Sequence, residues 1–242
     1  VTMTQPHWNV PPADRALLRA LAARRAEIAQ LPIMAERRRL WIKHAALRGE
    51  RPMILAETQG ALPEVMPDRV LQCREPWARD VERVLRLAIY QYEEVGDDTV
   101  IEPWYSLKWQ VDLGNYGPII EKHRGDNAGK LGSYVWDPPI KDLDRDLDKI
   151  HPRRPTVDRA GTHAWKAHLE SIFGDLLPVR IRGPLYWTMG LTWTAIDLLG
   201  LQPLMMAMYD NPAGLHRLMA FLRDDHLAVS DWLEREGLYT LN

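Results

Sequence analysis

Two glutamates occupy the positions in this 242-residue sequence that are best suited to acid–base chemistry. Glu57 follows the short apolar run 52–56, and Glu102 follows the apolar run 99–101. A carboxylate directly after a buried strand lies at the edge where α/β folds bind ligands, and partial burial there can raise its pKa towards that of a general acid or base. Alternatively, each carboxylate only accepts hydrogen bonds from loop amides. The sequence leaves both roles open.

Aromatic and basic residues near predicted strand ends are the candidates for binding a substrate. The chain has ten tryptophans against two phenylalanines, and an indole-lined pocket would suit a flat aromatic molecule or a bulky cofactor. Packing of loops onto the core explains any single tryptophan equally well. An arginine at a strand end could hold a carboxylate or a phosphate. We therefore expect substrate contacts from Trp104, Trp109, Arg182, Trp187 and Asn242.

The common signatures of metal and nucleotide sites are missing from the sequence. It contains no GxGxxG turn, Walker A loop, HExxH or GxSxG motif. His163 and His168 are five residues apart, which is a poor spacing for two metal ligands on one helix. The single cysteine, Cys73, excludes an intramolecular disulfide and a cysteine-rich zinc site within the chain. We predict no metal or cofactor held by these residues alone.

Composition narrows the class of protein. The formal net charge is −2, without the basic excess of a general nucleic-acid binder. The start of the chain has no basic and apolar segments typical of a secretory signal. The most apolar stretch, 189–209, contains Asp197 and Pro203 near its middle, which indicates two buried helices rather than a membrane span. We expect a cytoplasmic protein with no nucleic-acid or membrane partner.

Apolar periodicity and turn residues predict helices and strands in alternation. The predicted helices cover 14–30, 35–47, 76–95, 157–173, 194–199, 203–209 and 212–236. The predicted strands cover 52–56, 99–101, 132–136, 178–184 and 237–242. Strands that alternate with helices indicate βαβ units and a parallel sheet. Ligands of such folds gather at the carboxyl ends of the strands.

Three segments resemble the uroporphyrinogen decarboxylase superfamily. Residues 51–57 and 60–64 are similar to the family's first strand and its following Gly-x-x-Leu-Pro-Glu loop. Residues 96–101 resemble the helix-to-strand entry before the catalytic aspartate of the decarboxylase. The turn 183–184, followed by Asp-Asn-Pro at 210–212 and a long helix ending in glycine, resembles a third part of the family pattern. The resemblance runs from about residue 37 to the end.

The resemblance implies a (β/α)8 TIM barrel, here truncated after its first half to two-thirds, with N-terminal helices. We expect residues 1–50 to form a helical layer and residues 51–242 to form the partial barrel. Glu102, Trp104 or Tyr105 stands where the family has its catalytic aspartate, and only Glu102 keeps the charge. The decarboxylase holds its substrate's propionates with arginines after the first strand. The matching loop here carries an acid instead, Glu57.

These departures favour a corrinoid-linked methyltransferase, which also occurs in the superfamily, over a decarboxylase. Glu57 and Glu102 would orient a small or aromatic methyl donor or assist proton transfer. Zinc and a corrinoid protein are then expected for a longer protein, because the family's zinc ligands come from later strands. The first alternative is a uroporphyrinogen-type decarboxylase in which Glu102 stabilises a protonated pyrrole. The second is a non-catalytic half-barrel that pairs with a complementing chain or a second copy.

Overall fold

The computed structural model of the chain describes residues 8–58, 60–124, 134–183 and 190–240. These residues form a mixed α/β structure that is mainly helical, which confirms the predicted α/β class. The chain divides into two compact units. The first unit contains residues 1–107 and 160–181, and the second unit contains residues 108–159 and 182–242.

The helices of the first unit begin largely where the sequence predicts them. They are α1 (Pro12–Ala29), α2 (Pro32–Ala45), α3 (Leu62–Val65), α4 (Pro76–Tyr90) and α5 (Arg159–Phe173). Proline opens α1, α2 and α4, because its fixed φ suits the first helical turn and its missing N–H has no partner there. α4 continues as a π-helical turn, Gln91–Val95, and ends at Gly96, whose φ of 67° is left-handed.

The core of the first unit forms where α1, α4 and α5 pack together. Leu18 of α1 and Leu85 of α4 are fully buried there, together with Phe173 at the end of α5. The same core includes Leu177 and Val179, which follow α5 in the chain. Residues from both parts of the discontinuous first unit therefore build one hydrophobic core.

Six short strands form three two-stranded sheets in the described residues. The pairs are β1 (Tyr105–Lys108) with β6 (Val179–Arg182), β2 (Gln110–Asp112) with β5 (Thr156–Asp158), and β3 (Lys122–Arg124) with β4 (Tyr134–Trp136). The β2–β5 and β3–β4 pairs are antiparallel. The prediction of one parallel sheet is therefore wrong for these strands, and the described residues form no closed barrel.

The run 52–56, predicted as a buried strand, is an exposed segment without strand structure. Ile54 is 63% exposed and its neighbour Leu55 is 53% exposed. Ile54 nevertheless lies beside Asp98, whose backbone N–H donates to the Ile54 carbonyl oxygen at 2.9 Å. The two segments predicted as consecutive strands therefore contact each other, but no ladder of strand hydrogen bonds forms between them.

Side-chain carboxylates explain why this ladder is missing. The N–H of Ile54 donates to Asp98 Oδ2 at 2.9 Å, and the N–H of Ala56 donates to Asp97 Oδ2 at 2.8 Å. These carboxylates take the amide hydrogen bonds that an adjacent strand would take. The second predicted strand, 99–101, is likewise irregular, and regular pairing starts only at β1.

The second unit is built on three consecutive helices. They are α6 (Thr192–Leu199), α7 (Leu201–Asp210) and α8 (Pro212–Arg235). α8 begins where the sequence predicts it, and Asn211 caps it, since the Asn211 side-chain oxygen accepts from the Gly214 N–H at 2.8 Å. The break between α6 and α7 falls at Gly200 rather than at Pro203, because proline is tolerated in the first turn of a helix. No helix among the described residues is long and apolar enough to cross a bilayer.

The segment after α8 passes directly against the glycine that follows β6. The Gly183 N–H donates to Thr240 Oγ1 at 2.9 Å, and a Cβ at Gly183 would lie 2.3 Å from the Leu238 carbonyl oxygen. Residues 238–240 have no strand structure, so the strand predicted at 237–242 is not seen in its described part. The close backbone approach nevertheless requires glycine at position 183.

Candidate functional site

Glu102 is held in an ion pair with an N-terminal helix. Its Oε2 accepts a hydrogen bond from Arg38 Nη2 of α2 at 2.9 Å, and its side chain is 34% exposed. The sequence predicted a carboxylate at a strand end but did not predict this cationic neighbour. The Arg38 guanidinium therefore orients the Glu102 carboxylate.

A second arginine binds the backbone of Trp104, two residues after Glu102. Arg25 of α1 is 8% exposed, and its Nη2 donates to the Trp104 carbonyl oxygen at 2.8 Å. Burial lowers the pKa of the Arg25 guanidinium. The negative charge of Glu102 raises this pKa and so partly offsets the effect of burial. Its Nε is buried and has no hydrogen-bond partner in the described part of the chain.

The ring of Trp104 carries a third arginine. The guanidinium carbon of Arg180 lies 4.2 Å from the centre of the indole, which is a cation–π stack. We call Arg25, Arg38, Glu102, Trp104 and Arg180 the Trp104 cluster. Three guanidiniums and one carboxylate give it a net charge of +2. This local charge is opposite in sign to the acidic environment that the sequence predicts.

Tyr105, the remaining residue near the expected catalytic position, belongs to the core. It begins β1, is almost fully buried and packs on Phe173 with ring centres 5.7 Å apart. Burial raises the pKa of its phenol to about 12, so the hydroxyl stays neutral at physiological pH. Of the three residues near that position, Glu102 and Trp104 are partly exposed, while Tyr105 is a core residue.

Glu57, the other predicted catalytic acid, is an exposed residue of the segment held by Asp97. No hydrogen bond or ion pair joins it to Glu102 or to any other residue in the described ranges. The structure therefore leaves the carboxylate of this predicted catalytic acid exposed, with no hydrogen-bond or ion-pair partner among the described residues.

Two of the other predicted substrate contacts, Trp109 and Arg182, belong to the second unit. Trp109 belongs to the second unit, where it packs against the end of α8 and lies under the Arg159 guanidinium at 5.3 Å. Arg182 is half-buried at the end of β6. Trp187 and Asn242 lie outside the described residues.

The second unit contains a buried ionic network that sequence analysis missed. Asp225 of α8 is 3% exposed and accepts hydrogen bonds from Arg153 N at 2.8 Å, Arg153 Nε at 2.7 Å and the Tyr116 hydroxyl at 3.0 Å. Arg153 Nη2 also lies 3.3 Å from His226 Nδ1. Burial and the nearby Arg153 charge lower the pKa of His226. The network fixes two loop residues to α8.

Two further buried carboxylates hold the loop before α4. Glu82 accepts from the backbone N–H groups of Gln72 and Cys73 and from Arg86 Nε at 2.7 Å. Asp14 accepts from the next two backbone N–H groups, those of residues 74 and 75. These carboxylates satisfy loop amides that would otherwise be buried without partners, so their role is structural.

A cavity of about 230 Å³ lies in the first unit at the π-helical turn. Its walls are mainly apolar, with Arg86, Glu93 and Glu94 among the lining residues. Arg86 is paired with Glu82, and Glu93 is paired with Arg24 at 2.7 Å. Because most of its charged lining residues already have protein partners, the cavity is a weaker candidate than the Trp104 cluster.

The described residues contain no group of three or more His, Cys, Asp or Glu side chains arranged to hold a metal ion. Burial raises the pKa of the Cys73 thiol to about 12, so this side chain is not a thiolate at physiological pH. No protein-family model, curated protein or solved structure matches the chain.

Proposed function

We propose that the chain is part of an enzyme of the uroporphyrinogen decarboxylase superfamily, and that it transfers a methyl group from a small molecule in partnership with a corrinoid protein. The main support comes from which predicted strands are neighbours. In the first unit Ile54 lies beside Asp98, and β1 pairs with β6. In the second unit Gly183 lies against residues 238–240.

Two of these contacts, Ile54 with Asp98 and Gly183 with residues 238–240, lie at predicted strands that follow one another in the chain. β1 is not a predicted strand but comes directly after the second one, and its pairing with β6 passes over the short strand 132–136. A (β/α) barrel places consecutive strands side by side, with its active site at their carboxyl ends. Glu102 and Trp104 follow the second predicted strand and lie in the Trp104 cluster. In the proposed enzyme this cluster binds and orients the methyl donor.

The family's zinc chemistry does not fit the described residues. Cys73 is buried and protonated, and no three-ligand group occurs in the ranges that the structure describes. In the proposed enzyme the described residues therefore contribute substrate binding rather than zinc ligands.

Decarboxylation is the second candidate, and the charge of the Trp104 cluster favours it. The three guanidiniums around Glu102 and Trp104 would attract the carboxylates of a uroporphyrinogen-type substrate. Glu102 would then stabilise the positive charge that develops on a protonated pyrrole during loss of CO2. This cationic surrounding would outweigh the repulsion between the Glu102 carboxylate and the carboxylates of the substrate.

Two assays on the full-length protein separate these reactions. In the first, the protein is mixed with cob(I)alamin and a methoxybenzoate, and the visible spectrum reports methylcob(III)alamin. In this step the cobalt electron pair attacks the methyl carbon and the phenolate oxygen leaves. In the second, the protein is incubated with uroporphyrinogen, and the carboxyl groups of the products are counted by mass spectrometry. Failure of both assays would contradict the proposal.

Glu102 is the residue whose substitution links either reaction to this site. We expect Glu102→Gln to lower the observed turnover by at least about 100-fold, because it removes the charge that orients substrate or stabilises the cationic intermediate. Glu36→Gln is the matched control, since Glu36 also lies beside an arginine of α2 but outside the cluster. Equal turnover of the two variants would assign the reaction to another site.

A further inference from the structure

Two guanidiniums of the Trp104 cluster, those of Arg25 and Arg180, have no anionic partner among the described residues. Arg25 is more than nine-tenths buried, yet its one hydrogen bond to a described residue goes to a carbonyl oxygen. Its Nε is buried and has no hydrogen-bond partner within the ranges that the structure describes. Buried arginines are normally paired with a carboxylate, because desolvation of a lone charge is costly. We therefore expect an anion to bind beside the Arg25 guanidinium.

Glu102 does not fill this role. Its carboxylate is the hydrogen-bond partner of Arg38 at 2.9 Å, and it affects Arg25 only through its more distant charge. No other carboxylate among the described residues forms an ion pair with Arg25. The missing anion must therefore come from outside this set of residues.

Arg180 supplies the second guanidinium. It is exposed, stacks 4.2 Å above the Trp104 ring and makes no ion pair with any described residue. A guanidinium that stacks on an aromatic ring keeps its N–H donors in the ring-parallel plane, where they can bind a carboxylate in a bidentate manner. Since Arg25 and Arg180 both contact Trp104, their guanidiniums flank a single residue.

We infer that Arg25, Arg180 and Trp104 form a binding site for the carboxylate group of a small organic acid. In the proposed enzyme this acid is the substrate. The reaction it undergoes rests on the proposed function, whereas the binding site does not. Binding is measured without turnover, so the two can fail separately. Carboxylate binding without either reaction would overturn the proposed function, whereas turnover without carboxylate binding would overturn the inference.

Calorimetric titration of the chain with three probes tests the class of ligand. Benzoate is expected to bind, and to bind more weakly as ionic strength increases. Benzamide, which has the same shape without the charge, is expected to bind at least tenfold more weakly. Inorganic phosphate tests for a general anion site. Absence of benzoate binding, equal binding of benzamide, or tighter binding of phosphate would each overturn the inference.

Variants locate the binding. We expect Arg25→Gln and Arg180→Gln each to weaken benzoate binding by at least tenfold, because each removes a charge-assisted hydrogen-bond donor. Arg24→Gln is the matched control on α1, since Arg24 is paired with Glu93 and lies outside the cluster. If Arg25→Gln does not fold, the exposed Arg180→Gln decides. Unchanged affinity in Arg180→Gln, or an equal loss in Arg24→Gln, would overturn the site.

Discussion

Asp98 holds the exposed run 52–56 in place through both of its carboxylate oxygens. Arg51 donates to them at 2.5 and 2.7 Å, and the Ile54 N–H donates at 2.9 Å. The Arg51 guanidinium and the Ile54 amide keep the pKa of Asp98 well below its usual value. The contribution of Asp98 to stability is therefore present above the unfolded-state pKa of about 4 and is lost as the pH falls towards the lower folded-state pKa.

We expect Asp98→Asn to lower the free energy of unfolding at pH 7 by about 1–3 kcal/mol, because the ion pair with Arg51 is lost. Below pH 4 the difference between the variant and the natural chain should shrink. Urea unfolding between pH 7 and pH 2.5 measures both effects. Asp231→Asn, an exposed substitution on α8, is the control. A pH-independent difference would show that the charge of Asp98 is not what holds the segment.

His226 predicts a pH effect in a higher range. Its pKa is lowered by burial and by Arg153, so the unfolded chain binds its proton more readily than the folded chain. Stability should therefore fall as the pH drops from about 7 through 6.5 and below. In His226→Gln this dependence should become shallower, as measured by urea unfolding at several pH values. His216→Gln, an exposed histidine substitution on the same helix, should leave it unchanged.

At the scale of elements, Gly183 is the point where two chain segments come closest. A methyl group there would overlap the Leu238 carbonyl oxygen at 2.3 Å and the Thr240 nitrogen at 2.7 Å. We expect Gly183→Ala to destabilise the chain by about 2–3 kcal/mol, because backbone must move to relieve the overlap. Thermal unfolding measures the loss. Gly60→Ala is the control, since a Cβ at Gly60 meets no atom within 4 Å, and an equal loss there would contradict the packing argument.

The helices were predictable because their signals are local. Pro76 and Pro212 mark helix starts that the structure reproduces at the same residues. The strands were not predictable, because strand formation depends on which other segment or side chain accepts the hydrogen bonds of the backbone amides. The run 52–56 has a strand-like composition, but Asp97 and Asp98 compete for its amides.

The candidate site was predictable only in part for the same reason. Glu102 and Trp104 stand out because they follow an apolar run. Arg25, Arg38 and Arg180 come from other segments, and nothing in their local sequence distinguishes them from other arginines. A signal did exist for Asp225, which falls on the apolar stripe of α8 between the buried Leu222 and Val229. A charged residue in such a register indicates a buried partner.

At the scale of the whole molecule, the first unit is discontinuous in sequence. Leu169, Ile172 and Phe173 of its core come from the later part, 160–181. We expect a fragment of residues 1–107 to lack cooperative unfolding, because this part of the core is missing. Joining 160–181 to the fragment by a flexible Gly/Ser linker should restore a cooperative transition in circular dichroism. A cooperative transition in the fragment alone would show that the later helix is dispensable.

During synthesis, this arrangement delays completion of the first unit. Residues 108–159 must leave the ribosome before α5 can cover the apolar sides of α1 and α4. At ordinary elongation rates that interval lasts roughly 3–10 s. For that time the nascent chain lacks Leu169, Ile172 and Phe173, the core residues that α5 supplies. The first unit is therefore the part of this protein that nascent-chain chaperones should bind, and slow codons within 108–159 should prolong that binding.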